Sequence, residues 1–223
     1  MRRRVAFTIV LGATPVAIVA LTLLALFNPV WINPAQQRAG VAAMTGFDQR
    51  DVERVTGSIL SDVVIGPPSF DVAVDGVNVL GEAERGHMRD VYRVLRAFMA
   101  IAVAGGLLTV VIARRLRSDP VVWRAIAVGS GALLVAGVVL SVIITFLFDA
   151  FWLAFHLVFF PQGNFSFDPT TQRLTQLFPD QFWVESATAA ALVAMVLAGA
   201  VTLAASRRAR HLAHAGCLAT RNS

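Results

Sequence analysis

Lysine is absent from this chain; all 19 basic residues are arginine. Cysteine is almost absent as well. Cys217 stands alone, which excludes an intramolecular disulfide and a cysteine-based metal cluster, and its place in the C-terminal tail argues against a nucleophile. Charge is scarce: Asp, Glu, Lys and Arg make up 15% of the 223 residues, where soluble domains carry about a quarter. Several catalytic signatures are missing too. There is no glycine-rich phosphate cradle, no Gly-x-Ser-x-Gly elbow, no His-Glu-x-x-His pair and no Cys-x-x-Cys. What fills the chain instead is apolar, at 57% hydrophobic residues. That balance points to an integral membrane protein.

Four apolar runs carry the fold expectation: Val5–Phe27, Val94–Ala113, Ala125–Phe148 and Val184–Ala205. Each is long enough, as a helix, to cross a hydrocarbon core of about 30 Å. The first is too long for the apolar core of a signal peptide, and no lipobox cysteine follows it, so it is expected to stay as the first transmembrane helix. Asn28-Pro29-Val30-Trp31 closes that run, with Trp31 at the interfacial level that tryptophan favours. Between the first two runs, Gln49–Leu60 has helical spacing through Val52, Val55 and Ile59. Phe70–Val74 then alternates, Asp75-Gly76 is a hairpin turn, and Val77–Leu80 returns. The expected fold is an α-helical integral membrane protein. It is one membrane domain over 1–223, with four transmembrane helices and a small α/β extracytoplasmic element between helices 1 and 2.

A net charge of +5 does not point to nucleic acid, because the arginines lie in short runs beside the apolar segments. The N-terminus, the 114–124 loop and the C-terminal tail carry 3, 4 and 4 arginines, and of the acidic residues only Asp119 accompanies them. The excess of arginine places both termini in the cytoplasm and loops 32–93 and 149–183 outside. Each outer loop holds one histidine.

His87 lies three residues after Glu84 and three before Asp90, which makes all three neighbours on a helix. A carboxylate beside an imidazole orients the ring and raises its basicity, as a general base requires; the alternative is an exposed helix with polar neighbours at a membrane entry. His156 lies in the aromatic stretch Trp152–Phe160, with Asp149 two helical turns earlier. An ionisable residue at the bilayer edge is costly unless partnered, so function and a plain interfacial aromatic belt both stay open. His211 and His214 read as ordinary residues of a basic tail. His87, His156 and the three carboxylates are metal-ligating types, but they lie in separate segments with no ligand spacing, and no metal or other cofactor is expected.

At two stretches the chain resembles the lipoprotein intramolecular transacylase (Lit) family of bacterial four-span membrane proteins. Glu84-Arg85-Gly86-His87-Met88-Arg89-Asp90-Val91 is similar to the family's Glu-x-x-His-Met-x-Asp-Val signature. Phe155-His156-Leu157-Val158-Phe159-Phe160, followed by Phe167-Asp168-Pro169 and Leu177–Trp183, carries the second likeness. Where the family usually has Phe-x-Asn-Asp-x-Trp, this chain has Phe160-Pro161-Gln162-Gly163-Asn164-Phe165.

The resemblance implies an acyltransferase of the bacterial cytoplasmic membrane. It would move the sn-2 acyl chain of a diacylglyceryl-cysteine lipoprotein onto the cysteine α-amine, leaving a lyso-form lipoprotein. Its partners would be diacylglyceryl-modified lipoproteins and membrane lipids. It makes His87 and His156 the catalytic histidines; the mechanism expected of them has His87 take the proton of the amine, and the other histidine or a loop amide serve the oxyanion or the departing sn-2 oxygen. Glu84, Asp90 and Asp149 would orient them, and Trp152, Phe155, Phe159 and Phe160 would shape an acyl-chain groove. Two other classes remain compatible with the residues. One is a non-catalytic membrane protein that binds lipid or assists envelope assembly. The other is a transporter, which the nearly charge-free apolar runs disfavour.

Overall fold

In a computed structural model, which describes residues Arg3–Arg221 and side chains through Cys217, the four apolar runs become the cores of four long helices. These are α1 (Arg3–Leu26), α5 (Glu82–Arg115), α6 (Pro120–Phe159) and α8 (Asp180–Arg221), with α2 (Pro29–Arg38), α3 (Val41–Thr45), α4 (Gln49–Val64), β1 (Ala73–Val74), β2 (Val77–Asn78) and α7 (Arg173–Leu177) between them. All four long helices are long and apolar enough to cross a membrane. Arg2, counted with the N-terminal arginines, lies outside the described residues.

The helices overrun their apolar cores. Polar first turns lead into α5, and the basic tail continues α8 as helix. Within α6, Leu147 departs from helical geometry (φ −137°, ψ 36°), so the apolar run ends in a kink and Phe148–Phe159 forms a second helical segment.

Contacts divide the chain into two compact units, one of Met1–Leu23, Met99–Ser141 and Ala190–Ser223, the other of Leu24–Phe98 and Val142–Ala189. In the first, Ala6, Val10, Ile112, Val122, Ala125, Ile126 and Ala205 form a buried cluster. Small residues bring backbones together, as helices in lipid require when no hydrophobic effect drives them to associate. Ala13 Cβ lies where a Cβ on Gly105 would fall 3.1 Å away, and a Cβ on Gly129 would collide with the Leu11 carbonyl oxygen. The Ser130 and Thr202 hydroxyls share a hydrogen bond at 2.8 Å.

The second unit builds a water-type core from Ile32, Ala35, Val52, Val55, Ile59, Phe70, Leu80, Leu177 and their neighbours. Its helix α4 has the expected apolar face of Val52, Val55 and Ile59, all buried. Asn28 does more than stop α1. Its side-chain oxygen accepts from Val30 N (2.9 Å) and Trp31 N (3.3 Å), and Pro29 takes the first helical position, so α2 starts where a loop was expected. The Asp75-Gly76 turn forms as expected, with both residues at positive φ (51° and 78°), the geometry of a two-residue hairpin. Its ladder is short, pairing Ala73 with Asn78 and Val74 with Val77. Phe70, buried and left-handed (φ 56°), interrupts the extended run before it.

Buried Gln36 ties three helices. Its amide donates to the Leu177 carbonyl at the end of α7 (2.8 Å) and accepts from Thr56 on α4 (3.0 Å). The Arg173 guanidinium donates to the Thr45 carbonyl (2.7 Å) and stacks over Phe47. These bonds fix the segment that follows α6.

Glycine at 129 is therefore a packing requirement and glycine at 12, with open space around it, is not. Gly129→Ala is expected to lower stability by about 1–3 kcal/mol through overpacking, seen as a lower Tm in detergent, while Gly12→Ala leaves Tm unchanged or raises it. Equal behaviour of the two variants would contradict this packing.

Candidate functional site

Both outer-loop histidines lie in the second unit. His87 sits on the second turn of α5, and His156 on the last turn of α6. Their rings approach to 6.0 Å between centroids with an interplanar angle of 25°. Both are buried, at 6% and 5% exposure.

Three polar contacts bring them together. Glu84 is buried, and its carboxylate accepts from Gly81 N (2.6 Å) and from Leu174 N on α7 (2.7 Å). The first bond is half of a capping box at the start of α5; the second fastens the 160–178 segment to it. One turn beyond His87, Asp90 Oδ2 accepts from Gln162 (2.9 Å) and Asn164 (2.7 Å), while Arg93 donates to Oδ1 (2.6 Å). Gly163, left-handed at φ 76°, turns the chain between those two amides. Further along, the Thr170 hydroxyl and backbone N–H both donate to the Asp168 carboxylate. The hydroxyl bond first, then the backbone bond, hold that carboxyl below the usual range.

Around the imidazoles stands an aromatic cage. Phe160 and Phe167 meet the His87 ring edge-on at 4.7 and 5.5 Å. Trp152, Phe165 and Phe155 surround His156 at 4.4, 4.9 and 5.4 Å. Trp183, at the start of α8, backs Trp152 at 5.0 Å. His156 Nδ1 lies 2.8 Å from the Trp152 carbonyl oxygen. A carbonyl only accepts, so Nδ1 carries the proton and a neutral His156 has its lone pair on Nε2. Among the described residues no group of three or more His, Cys, Asp or Glu side chains converges as metal ligands would.

The sequence profile of the family described as lipoprotein intramolecular transacylase Lit matches residues 7–183. The chain belongs to the Lit family. Among solved structures it is similar to the membrane-integral Lit of Bacillus cereus, at 16% identity and a TM-score of 0.77 over 97% of this chain and 98% of that one. Two variants of that enzyme, with one histidine replaced by arginine or by alanine, match at TM-scores of 0.71 and the same 16% identity, over 97% of this chain and 94% and 96% of theirs. No curated protein sequence matches at significant similarity. With four apolar spans in a Lit fold, the chain is a multi-pass membrane protein.

Within this Lit fold the expected residues take different places. Glu84 shares the turn of His87, yet the bonds its carboxylate makes go to backbone N–H groups. Asp90 faces the amides of the second segment. Asp149 is exposed and its carboxylate makes no hydrogen bond or ion pair among the described residues; two helical turns separate it from His156 by about 10 Å along the axis. Of the four aromatics, Phe160 is buried at 2% against both histidines, whereas Phe155 and Phe159 are 37% and 45% exposed. The sequence reasoning missed Asn164, Phe165 and Phe167 as cage members. Their only signal was the motif likeness at 160–169, since they lie in a loop with no periodicity to mark a face.

Removing the Glu84 carboxylate leaves two N–H groups without their partner. Glu84→Ala is expected to cost about 1–3 kcal/mol, read as a lower Tm, whereas Asp149→Ala leaves Tm within error. Loss of activity at unchanged Tm in Glu84→Ala would instead assign Glu84 a direct role in the chemistry.

Proposed function

We propose that this chain is a lipoprotein intramolecular transacylase that moves the sn-2 acyl chain of a diacylglyceryl-cysteine lipoprotein onto the α-amine of the same cysteine. The observation that carries this reading is the pair of buried imidazoles 6.0 Å apart inside an aromatic cage. At that spacing one bound ester lies within reach of both rings. Family membership supplies the substrate class.

The proton inventory suits two bases. An N-terminal amine has an ordinary pKa near 8, so it arrives largely as ammonium and must lose two protons to become an amide N–H. Nε2 of His156, the free nitrogen of a ring anchored through Nδ1, takes the first. The amine nitrogen then attacks the sn-2 ester carbonyl carbon. Nε2 of His87 takes the second proton from the tetrahedral nitrogen and passes it to the sn-2 oxygen as the C–O bond breaks. The products are an amide and an alcohol, and the first proton leaves to solvent. General-base help of this kind contributes about 10²–10⁴-fold. Since amine and ester belong to one molecule, positioning supplies much of the remainder, and no acyl-enzyme is required.

The half-exposed rings of Phe155 and Phe159, with Trp152, line the acyl-chain groove in this reading, and Phe160 closes it beneath the histidines. The arginine distribution puts both termini in the cytoplasm and the site at the outer surface of a bacterial cytoplasmic membrane. That is the side on which lipoprotein N-termini lie. Alkaline phosphatase fused after Ser223 would then be inactive.

The test is mass spectrometry of a lipoprotein's N-terminal peptide from a host expressing the chain. The expected product is N-acyl, S-monoacylglyceryl cysteine. His87→Gln and His156→Gln should each lower its rate of formation by about 10²–10⁴-fold, at normal membrane levels of the protein. Full transacylation by both variants would overturn the assignment. An unchanged diacyl form with the unaltered chain would leave only the lipid-binding reading.

A further inference from the structure

Two polar atoms beside the histidine pair have no hydrogen-bond partner among the described residues: His87 Nδ1 and Asn164 Oδ1, both buried. The Asn164 side chain lies close enough to the His87 ring to act on its proton affinity, and the two unpartnered atoms are the acceptor end of that amide and one nitrogen of that ring. The other end of the same amide is fixed. Asn164 Nδ2 donates to Asp90 Oδ2 at 2.7 Å, and a carboxylate that already accepts from Gln162 and Arg93 can only accept. The amide therefore cannot flip, and its oxygen must face the imidazole.

That orientation decides the ring. A lone pair on His87 Nδ1 would confront the lone pairs of Asn164 Oδ1, two acceptors buried against each other. A proton on Nδ1 turns the repulsion into a hydrogen bond after a small rotation, and it places the His87 lone pair on Nε2. We infer that Asn164 is a positioning residue, a neutral relay through which Asp90 holds His87 in its Nδ1–H tautomer with Nε2 free for the substrate. The inference deepens the transacylase reading and rests on it for its functional meaning.

The relay has a chemical use. Asp90 polarises the amide, so the Asn164 oxygen becomes a stronger acceptor when His87 takes up a proton and its Nδ1–H grows more acidic. Burial keeps the resting ring neutral and able to accept, and the charge of Asp90 sits one residue back. His156, bonded to the Trp152 carbonyl, has the same tautomer by another route, so both histidines present Nε2. Of the family's Phe-x-Asn-Asp-x-Trp this chain keeps Phe160 alone and has Gln162, Gly163 and Phe165 at the other named places, so the relay through Asn164 belongs to this chain's own residues.

The tautomer can be read without any substrate. In ¹⁵N-histidine-labelled protein, two-bond ¹H–¹⁵N correlation spectra separate the Nδ1–H and Nε2–H forms, and His87→Gln identifies the signal. The expected result is Nδ1–H in the unaltered protein, shifting toward Nε2–H or a mixture in Asn164→Leu. Asn164→Gln keeps amide hydrogens for Asp90 and an oxygen for the ring and should keep Nδ1–H as the major form, which separates a lost acceptor from lost folding. In turnover, Asn164→Leu should lower kcat about 10–100-fold, the scale of supporting contacts of this kind, with KM within about twofold, and Asn164→Gln should recover part of it. An Nε2–H ring in the unaltered protein, or a tautomer indifferent to Asn164→Leu, overturns the inference even if transacylation is intact. A tautomer that responds as expected in a protein with no transacylase activity upholds the relay and sinks the function instead.

Discussion

The structure depends on carboxylates of α5 reaching across to the segment that follows α6. Glu84 and Asp90 flank His87 by one turn on either side, and each accepts hydrogen bonds from residues 162–174. Together with the bonds through which Gln36 and Arg173 fix the same segment, they hold His156 and its aromatic neighbours against His87, although the two histidines lie on helices far apart in the sequence. A carboxylate is suited to the task. It offers several lone pairs, so one side chain can hold two or three donors. Using two of them on one helix sets the second segment in position as well as in place.

This arrangement also explains why the site can be so apolar. The polar attachments lie to the sides, at Glu84 and Asp90, while the space between the imidazoles is walled by Phe160, Phe165, Phe167, Trp152 and Phe155. An apolar wall accepts acyl chains and excludes water. In the proposed reaction two neutral bases would then work without a competing solvent, which is what aminolysis of an ester needs if hydrolysis is to be avoided.

Much of the fold was legible in the sequence and part of the site was not, for different physical reasons. Transmembrane runs announce themselves because lipid tolerates few polar residues, and Asp75-Gly76 announces a hairpin because few residues accept two left-handed conformations in a row. Pro29 misled: it stops one helix and equally starts the next, and only the Asn28 cap reveals which. The three-residue spacing of Glu84 and His87 correctly made them neighbours on a helix. It did not reveal that backbone N–H groups of Gly81 and Leu174 meet that carboxylate first. Asn164 was invisible because a loop amide has no pattern; what singles it out is its bond to Asp90 in three dimensions. The likeness to the Lit signature located both histidines before any geometry did.

The central claim is that one molecule supplies both amine and ester to a pair of bases. The most direct test is a crossover measurement with the purified protein in lipid bilayers. Two synthetic diacylglyceryl-cysteine lipopeptides of different peptide mass are mixed, only one carrying an isotope-labelled sn-2 chain, and the products are resolved by mass spectrometry. The account predicts that the label moves to the α-amine of its own peptide and never to the other. Label on the second peptide, at a level that follows their mixing ratio, would mean an acyl-enzyme or intermolecular transfer and would contradict it.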